Sequence, residues 1–153
     1  MKTTRLLTML MAATAVLVVD GAAEAACTIS TTAVNFGTYN VFAGSPDDGA
    51  GQITYRCTAP QPPLVTIQLD KGGAPSFSPR QMRRGTETLN YNLYLDSTRS
   101  TIWGDGTGGS QTYTRANPPL GQNINLSVYG RIPASQDVSA GAYSATVTAT
   151  IFF

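Results

Sequence analysis

The stretch GAYSATVTATIFF, Gly141 to Phe153, alternates between two kinds of side chain. Tyr143, Ala145, Val147, Ala149, Ile151 and Phe153 fall on one face, and Ser144, Thr146, Thr148 and Thr150 on the other. Side chains of a β-strand alternate across the sheet, and Thr, Val, Ile and aromatics suit a half-buried pleated surface. The stretch therefore reads as an antiparallel strand with one apolar face. Such a strand needs neighbours on its edges and a cover for that face.

Working upstream, the same pattern recurs between turn residues. Gly, Pro, Ser, Thr and Asn interrupt the chain about every ten residues, and no long helical period follows the first 25 residues, the signature of a sandwich or barrel. Cys27, Ile29 and Thr31 share a face, then the phase slips and Val34 and Phe36 continue it, which predicts a bulge or a strand that switches sheets. Further alternating runs are Ile53–Cys57, Val65–Leu69, Leu89–Leu95 and Ile124–Val128. Residues 44–51 (GSPDDGAG) and Lys71–Gly85 read as loops, and Tyr113 as part of a short edge strand. The count is six principal strands with no domain boundary and no repeat.

The chain opens with an export signal. Lys2 and Arg5 precede an uncharged apolar run, Leu6 to Val19, and Ala23-Glu24-Ala25 is a small-x-small cleavage site. The run is too short to span a bilayer and no basic stop-transfer flank follows it. Residues 1–25 are assigned to a secretory signal peptide and 26–153 to one mature domain, with no membrane span in the mature chain. Cys27 and Cys57, an even pair in an exported chain, read as a disulfide.

Composition narrows the functions. Charges are few, scattered and nearly balanced, against the basic stripe that nucleic acid requires. There is no histidine, which removes Ser-His-Asp and Cys-His sites and the common zinc sites. Lys71, the sole lysine after residue 25, reads as solvated. Asp96 and Asp105 are the nearest approach to a carboxylate pair, and both suit turns. Arg80, Arg83 and Arg84 form a small basic cluster that reads as a solvated loop face. Trp103 between Ile102 and Gly104 fits a buried turn anchor. No enzyme, cofactor or metal is expected.

An immunoglobulin-like sandwich has seven strands, and six are visible here. The expected fold is all-β: an incomplete immunoglobulin-like sandwich of about six strands that lacks its last strand. Five uncovered apolar side chains at roughly 1.5–3 kcal/mol each amount to roughly 8–15 kcal/mol, the size of a whole domain's stability. A strand supplied by another chain, a donor strand, would complete it.

Ordered pieces of the chain carry a resemblance. Cys27 precedes Phe36-Gly37-Thr38-Tyr39, then come Ile53-Thr54-Tyr55-Arg56-Cys57, Arg80-Gln81-Met82 and Leu89-Asn90-Tyr91-Asn92-Leu93-Tyr94. Trp103-Gly104-Asp105-Gly106, Val128-Tyr129-Gly130-Arg131-Ile132-Pro133, Ala140-Gly141-Ala142-Tyr143 and a terminal aromatic follow. Together they resemble spore coat protein U domains, the subunits of archaic chaperone–usher pili. The resemblance implies a periplasmic chaperone that lends a strand, an outer-membrane usher that exchanges it for the N-terminal extension of another pilin subunit, and a place at the cell surface in a fimbria or extracellular coat, with roles in adhesion and biofilm. It implies a donor-strand groove lined by Tyr143, Val147, Ile151 and Phe153 and faced by Phe36, with the Phe153 carboxylate gripped by the chaperone. Cleavage after Ala25 leaves one residue, Ala26, ahead of Cys27 and no donor extension, which places the subunit at a chain end, most naturally the tip. The alternative is a self-sufficient secreted β-sandwich module that binds carbohydrate or a surface through Trp103 and exposed tyrosines.

Overall fold

A computed structural model describes residues 24–153, so all but two residues of the expected signal peptide lie outside the described residues. The described chain is all-β and without helix. Eight strands form two antiparallel sheets: β1 Ala26–Asn35, β2 Asp47–Thr58, β3 Leu64–Leu69, β4 Arg80–Arg84, β5 Glu87–Tyr94, β6 Tyr113–Ala116, β7 Ile124–Ile132 and β8 Ala149–Phe152. The larger sheet has the order β1-β2-β7-β5-β4, the smaller β6-β3-β8. Their inner faces meet in a core of Ile53, Tyr55, Val65, Ile67, Leu93, Trp103 and Val128, each no more than 5% exposed.

Two differences from the expected six strands have physical causes. β2 begins at Asp47, inside the stretch read as a loop. There Gly49 and Gly51 replace the apolar residues of the pattern, and the strand is held instead by its register with β7, where Asp48 stands opposite Arg131 and accepts a bidentate pair at 2.7 and 2.8 Å. β4 also lies in a stretch read as a loop. Its inward residues are Arg80 and Met82, and an inward arginine hides the alternation.

Arg80 also corrects the solvated basic cluster: it is fully buried, while Arg83 and Arg84 are exposed. Its guanidinium donates twice to the Asp70 carbonyl (3.1 and 2.9 Å), once to the Trp103 carbonyl (2.6 Å) and once to Asn92 Oδ1 (2.9 Å). Phe77 covers it, ring centroid 5.0 Å from the guanidinium carbon. Burial pushes its pKa down from the ordinary arginine value, yet four charge-assisted bonds keep it satisfied. Trp103 is buried beside it and donates its indole N–H to the Ile67 carbonyl at 3.0 Å, tying the larger sheet's connection to β3.

The phase slip in β1 is a register shift between Thr32 and Asn35. Val34 lies within the shift and Asn35 still pairs with Ala50 of β2, while the Val34 and Phe36 side chains reach over the glycines of β2 and β7. A Cβ at Gly51 would lie 2.7 Å from the Thr32 carbonyl oxygen, and one at Gly130 would lie 2.5 Å from Phe36 Cζ. The missing side chains of Gly49, Gly51 and Gly130 are the space that Val34 and Phe36 fill. Phe36 then stands edge-on to Tyr91, centroids 6.1 Å apart. At the start of β1, Cys27 faces Cys57 in register, and a disulfide joins them.

Candidate functional site

The expected terminal strand of thirteen residues is shorter in the structure, because the segment passes from one sheet to the other. Ser144 exchanges both backbone hydrogen bonds with Arg83 on the outer edge of β4, at 2.8 and 3.2 Å. Four residues later the Thr148 carbonyl accepts the Asp70 N–H (3.0 Å), and the Asp70 carboxylate accepts the Thr148 N–H (3.0 Å). Only Ala149–Phe152 forms a regular ladder, with β3. No single neighbour runs the length of the stretch.

In an extended segment successive residues turn their backbone groups to opposite edges. Ser144 and Thr148 direct theirs to β4 and to the end of β3. The odd residues Ala145, Val147, Ala149 and Ile151 therefore direct theirs to the other edge, and Ala145 and Val147 take part in no backbone–backbone hydrogen bond. Of the odd positions, Tyr143, Val147, Ala149 and Ile151 are half-buried against the core, and Ala145 is exposed.

Across from this open edge lies the shifted segment of β1, and a groove runs between them. A cavity of about 160 Å³ sits between Thr32 and Val34 on one side and Val147 and Ala149 on the other, floored by Ile53, Leu93 and Val128. A wider hollow of about 850 Å³ continues it between Phe36 and Tyr143, floored by Met82, Leu89 and Ile132. An apolar floor beside a row of unpaired N–H and C=O groups is a site for one more extended strand with alternating apolar side chains.

The structure brings Phe36, Tyr143 and Val147 together around this groove. Ile151 lies further along, opposite Ile67 in the β3–β8 ladder, and Phe153 is 50% exposed at the chain end; neither lines the two hollows. Sequence reading gives Val34 and Ala145 as residues of apolar faces but not of the groove, and Met82 as neither. Val34 follows a bulge, Met82 lies on a strand read as a loop, and Ala145 contributes by being small. The odd positions of the terminal stretch were the one signal for the open edge.

The groove's end is fixed by a polar clasp. Glu87 accepts from Ser139 Oγ at 2.6 Å, from the Tyr143 hydroxyl at 2.9 Å and from Arg84 at 3.0 Å. These bonds, that of Ser139 foremost, hold its carboxyl below the ordinary glutamate value.

The two carboxylates weighed as a catalytic pair lie in separate loops. Asp96 accepts from Thr98, from Ser100 and from the Thr101 N–H (2.7 Å), and Asp105 from the Thr107 N–H (2.8 Å) and hydroxyl (2.6 Å). Each carboxyl is lowered first by a threonine hydroxyl, that of Thr98 for Asp96 and that of Thr107 for Asp105, and both carboxylates bond within their own loops. Among the described residues no group of three or more His, Cys, Asp or Glu could hold a metal. Trp103, offered above as a sugar platform, is 1% exposed and has no free face, and none of the seven tyrosines is fully exposed.

The family model described as Spore Coat Protein U domain matches residues 13–150. Protein U of Myxococcus xanthus is 33% identical over 143 residues, covering 84% of this chain and 78% of that protein. Among solved structures, the fold matches a chain of the CsuC–CsuE chaperone-tip adhesion subunit pre-assembly complex from archaic chaperone-usher Csu pili of Acinetobacter baumannii, with TM-score 0.56 and 24% identity. That match covers 85% of this chain and 40% of the matched one, so this chain spans well under half of its length.

Proposed function

Because the chain belongs to the Spore Coat Protein U domain family, we propose that it is a structural subunit of a surface pilus or coat, assembled by strand complementation rather than acting as an enzyme. A partner chain adds a strand to the open edge at Ala145–Ile151, and its apolar side chains fill the hollows beside Val34, Phe36 and Val147. A periplasmic chaperone supplies that strand first, an outer-membrane usher exchanges it for one from another subunit, and the exported assembly stands at the cell surface, where it serves adhesion. The chaperone also takes the Phe153 carboxylate, which lies at the half-exposed end of β8. The observation that carries this is the continuous apolar groove bounded by a segment whose Ala145 and Val147 backbone groups are unpaired. The chaperone–subunit character of the matched Csu complex supports the same partner.

A terminal place in the assembly follows if export cleaves after Ala25. The family match begins at residue 13, within the segment read as the signal peptide. An exported N-terminus well upstream of Ala25 would provide a donor segment and remove the tip assignment. The test of function is periplasmic production of residues 26–153 with and without the producing cell's chaperone. Soluble recovery as a one-to-one complex alone supports strand complementation. A valine-to-aspartate change at Val147 must then abolish recovery; an unaffected complex overturns the assignment of the groove.

A further inference from the structure

Phe42 is 93% exposed, the most exposed large apolar side chain among the described residues. It is presented by a built loop. The Tyr39 hydroxyl donates to the Pro133 carbonyl (3.0 Å) and accepts from the Gln136 N–H (2.9 Å), anchoring residues 37–46 to the connection after β7. At the tip, Asn40 accepts the Phe42 N–H on Oδ1 and the Ala43 N–H on its carbonyl, both at 3.0 Å. Val41 and Ala43 are half-buried on either side, so the turn directs Phe42 alone outward. Phe42 lines the 850 Å³ hollow together with Val41, Phe36 and, from the segment before Tyr143, Ala140, Gly141 and Ala142.

We propose that Phe42 is the lid residue of the groove: it packs onto the strand that a partner chain lays in the wide hollow, and so sets how long that strand stays. This rests on the strand-acceptor reading above and adds a retention residue to it. The occupant is an extended segment with an apolar side chain at every second position, one of which lies against Phe42.

The test uses the subunit purified with its chaperone, comparing wild type, Phe42→Ala, Phe42→Leu and Leu120→Ala, the last an exposed apolar residue outside both hollows. The readout is the rate at which chaperone leaves immobilised subunit. Covering a phenylalanine side chain corresponds to a roughly ten- to hundredfold change in that rate. Phe42→Ala should accelerate release by that factor, Phe42→Leu should restore most of the retention, and Leu120→Ala should match wild type. Release of Phe42→Ala within about twofold of wild type overturns the lid and leaves the strand acceptor standing. Failure of wild type to form any complex overturns the strand acceptor and the lid together. Phe42 makes no core contact, so its variants test retention rather than folding.

Discussion

Alanine placed at Gly51 and at Gly130 tests the seating of β1 on the glycine bed. The two sites differ in what the new methyl meets. At Gly51 it lies 2.7 Å from the Thr32 carbonyl oxygen and 2.9 Å from the Val34 nitrogen, both backbone. At Gly130 it meets only side-chain atoms, Phe36 Cζ at 2.5 Å, Phe36 Cε1 at 2.7 Å and Val34 Cγ1 at 2.7 Å. Overpacking a core costs about 1–3 kcal/mol, while replacing a strand glycine by alanine returns about 0.5–1 kcal/mol of chain entropy. Gly130→Ala should therefore destabilise by about 1–2 kcal/mol, since a ring can tilt, and Gly51→Ala by about 2–3 kcal/mol, since a backbone must move. For a domain of this size each kcal/mol is worth roughly 3–5 °C in Tm. The assay is thermal melting of the disulfide-intact, chaperone-bound chain, followed by Trp103 fluorescence. Phe36→Leu, which shortens the obstructing ring, should recover part of the Gly130→Ala loss. Val34→Ala should not recover Gly51→Ala. A Gly51→Ala chain that melts at or above wild type, or that Val34→Ala restores, would refute the seating of residues 32–36 on the bed.

Arg80→Met should cost about 2–5 kcal/mol in guanidinium unfolding, because the buried Trp103 carbonyl and Asn92 Oδ1, and the partly buried Asp70 carbonyl, lose their donor; Arg83→Ala, on an exposed side chain, should stay within about 0.5 kcal/mol. Removing the Cys27–Cys57 bridge as a double alanine variant frees a loop of 30 residues. That should lower stability by roughly 3–4 kcal/mol on the chain-entropy model, and an unchanged denaturation midpoint would contradict it. Glu87, lowered first by Ser139 and then by Tyr143, contributes stability present above the ordinary glutamate value of 4.5 and lost as pH falls through its lower folded value. The Tyr143 ring resonances should therefore shift on acidification below that value, and Glu87→Gln should abolish the shift. Mass spectrometry of the exported chain should give Ala26 as the first residue.

The all-β class and most strands were legible because alternation with Thr, Val and Ile is a local property of the chain. The inward face of the terminal stretch was legible for the same reason. What stayed hidden were places where tertiary structure replaces the local signal. β4 looked like a loop because its inward residue is Arg80, satisfied by carbonyls of Asp70 and Trp103 that lie far from it in sequence. The start of β2 looked like a loop because glycine marks turns in isolation, and only the packing of Val34 and Phe36 explains Gly49 and Gly51 as a core device. The slip after Thr31 foretold that β1 would bulge or change sheets, though not what it would cover. The terminal stretch was overread as one continuous strand, because periodicity reports which face is apolar and says nothing of which edge has a partner. Phe42 gave no signal at all: a phenylalanine in a loop is ordinary until its exposure is known.

The open edge itself is measured most directly by amide hydrogen exchange along the terminal segment, in the chaperone-bound chain and after the chaperone is removed. With the chaperone gone, Ala145, Val147, Ala149 and Ile151 should exchange quickly while Thr148 and Thr150, turned toward Asp70 and β3, stay slow. In the complex the odd positions should become slow as well, because the added strand takes their N–H groups. Slow exchange at odd and even amides alike in the free chain would mean that the edge is already closed within one chain, and odd amides that stay fast on binding would mean that no strand is accepted there.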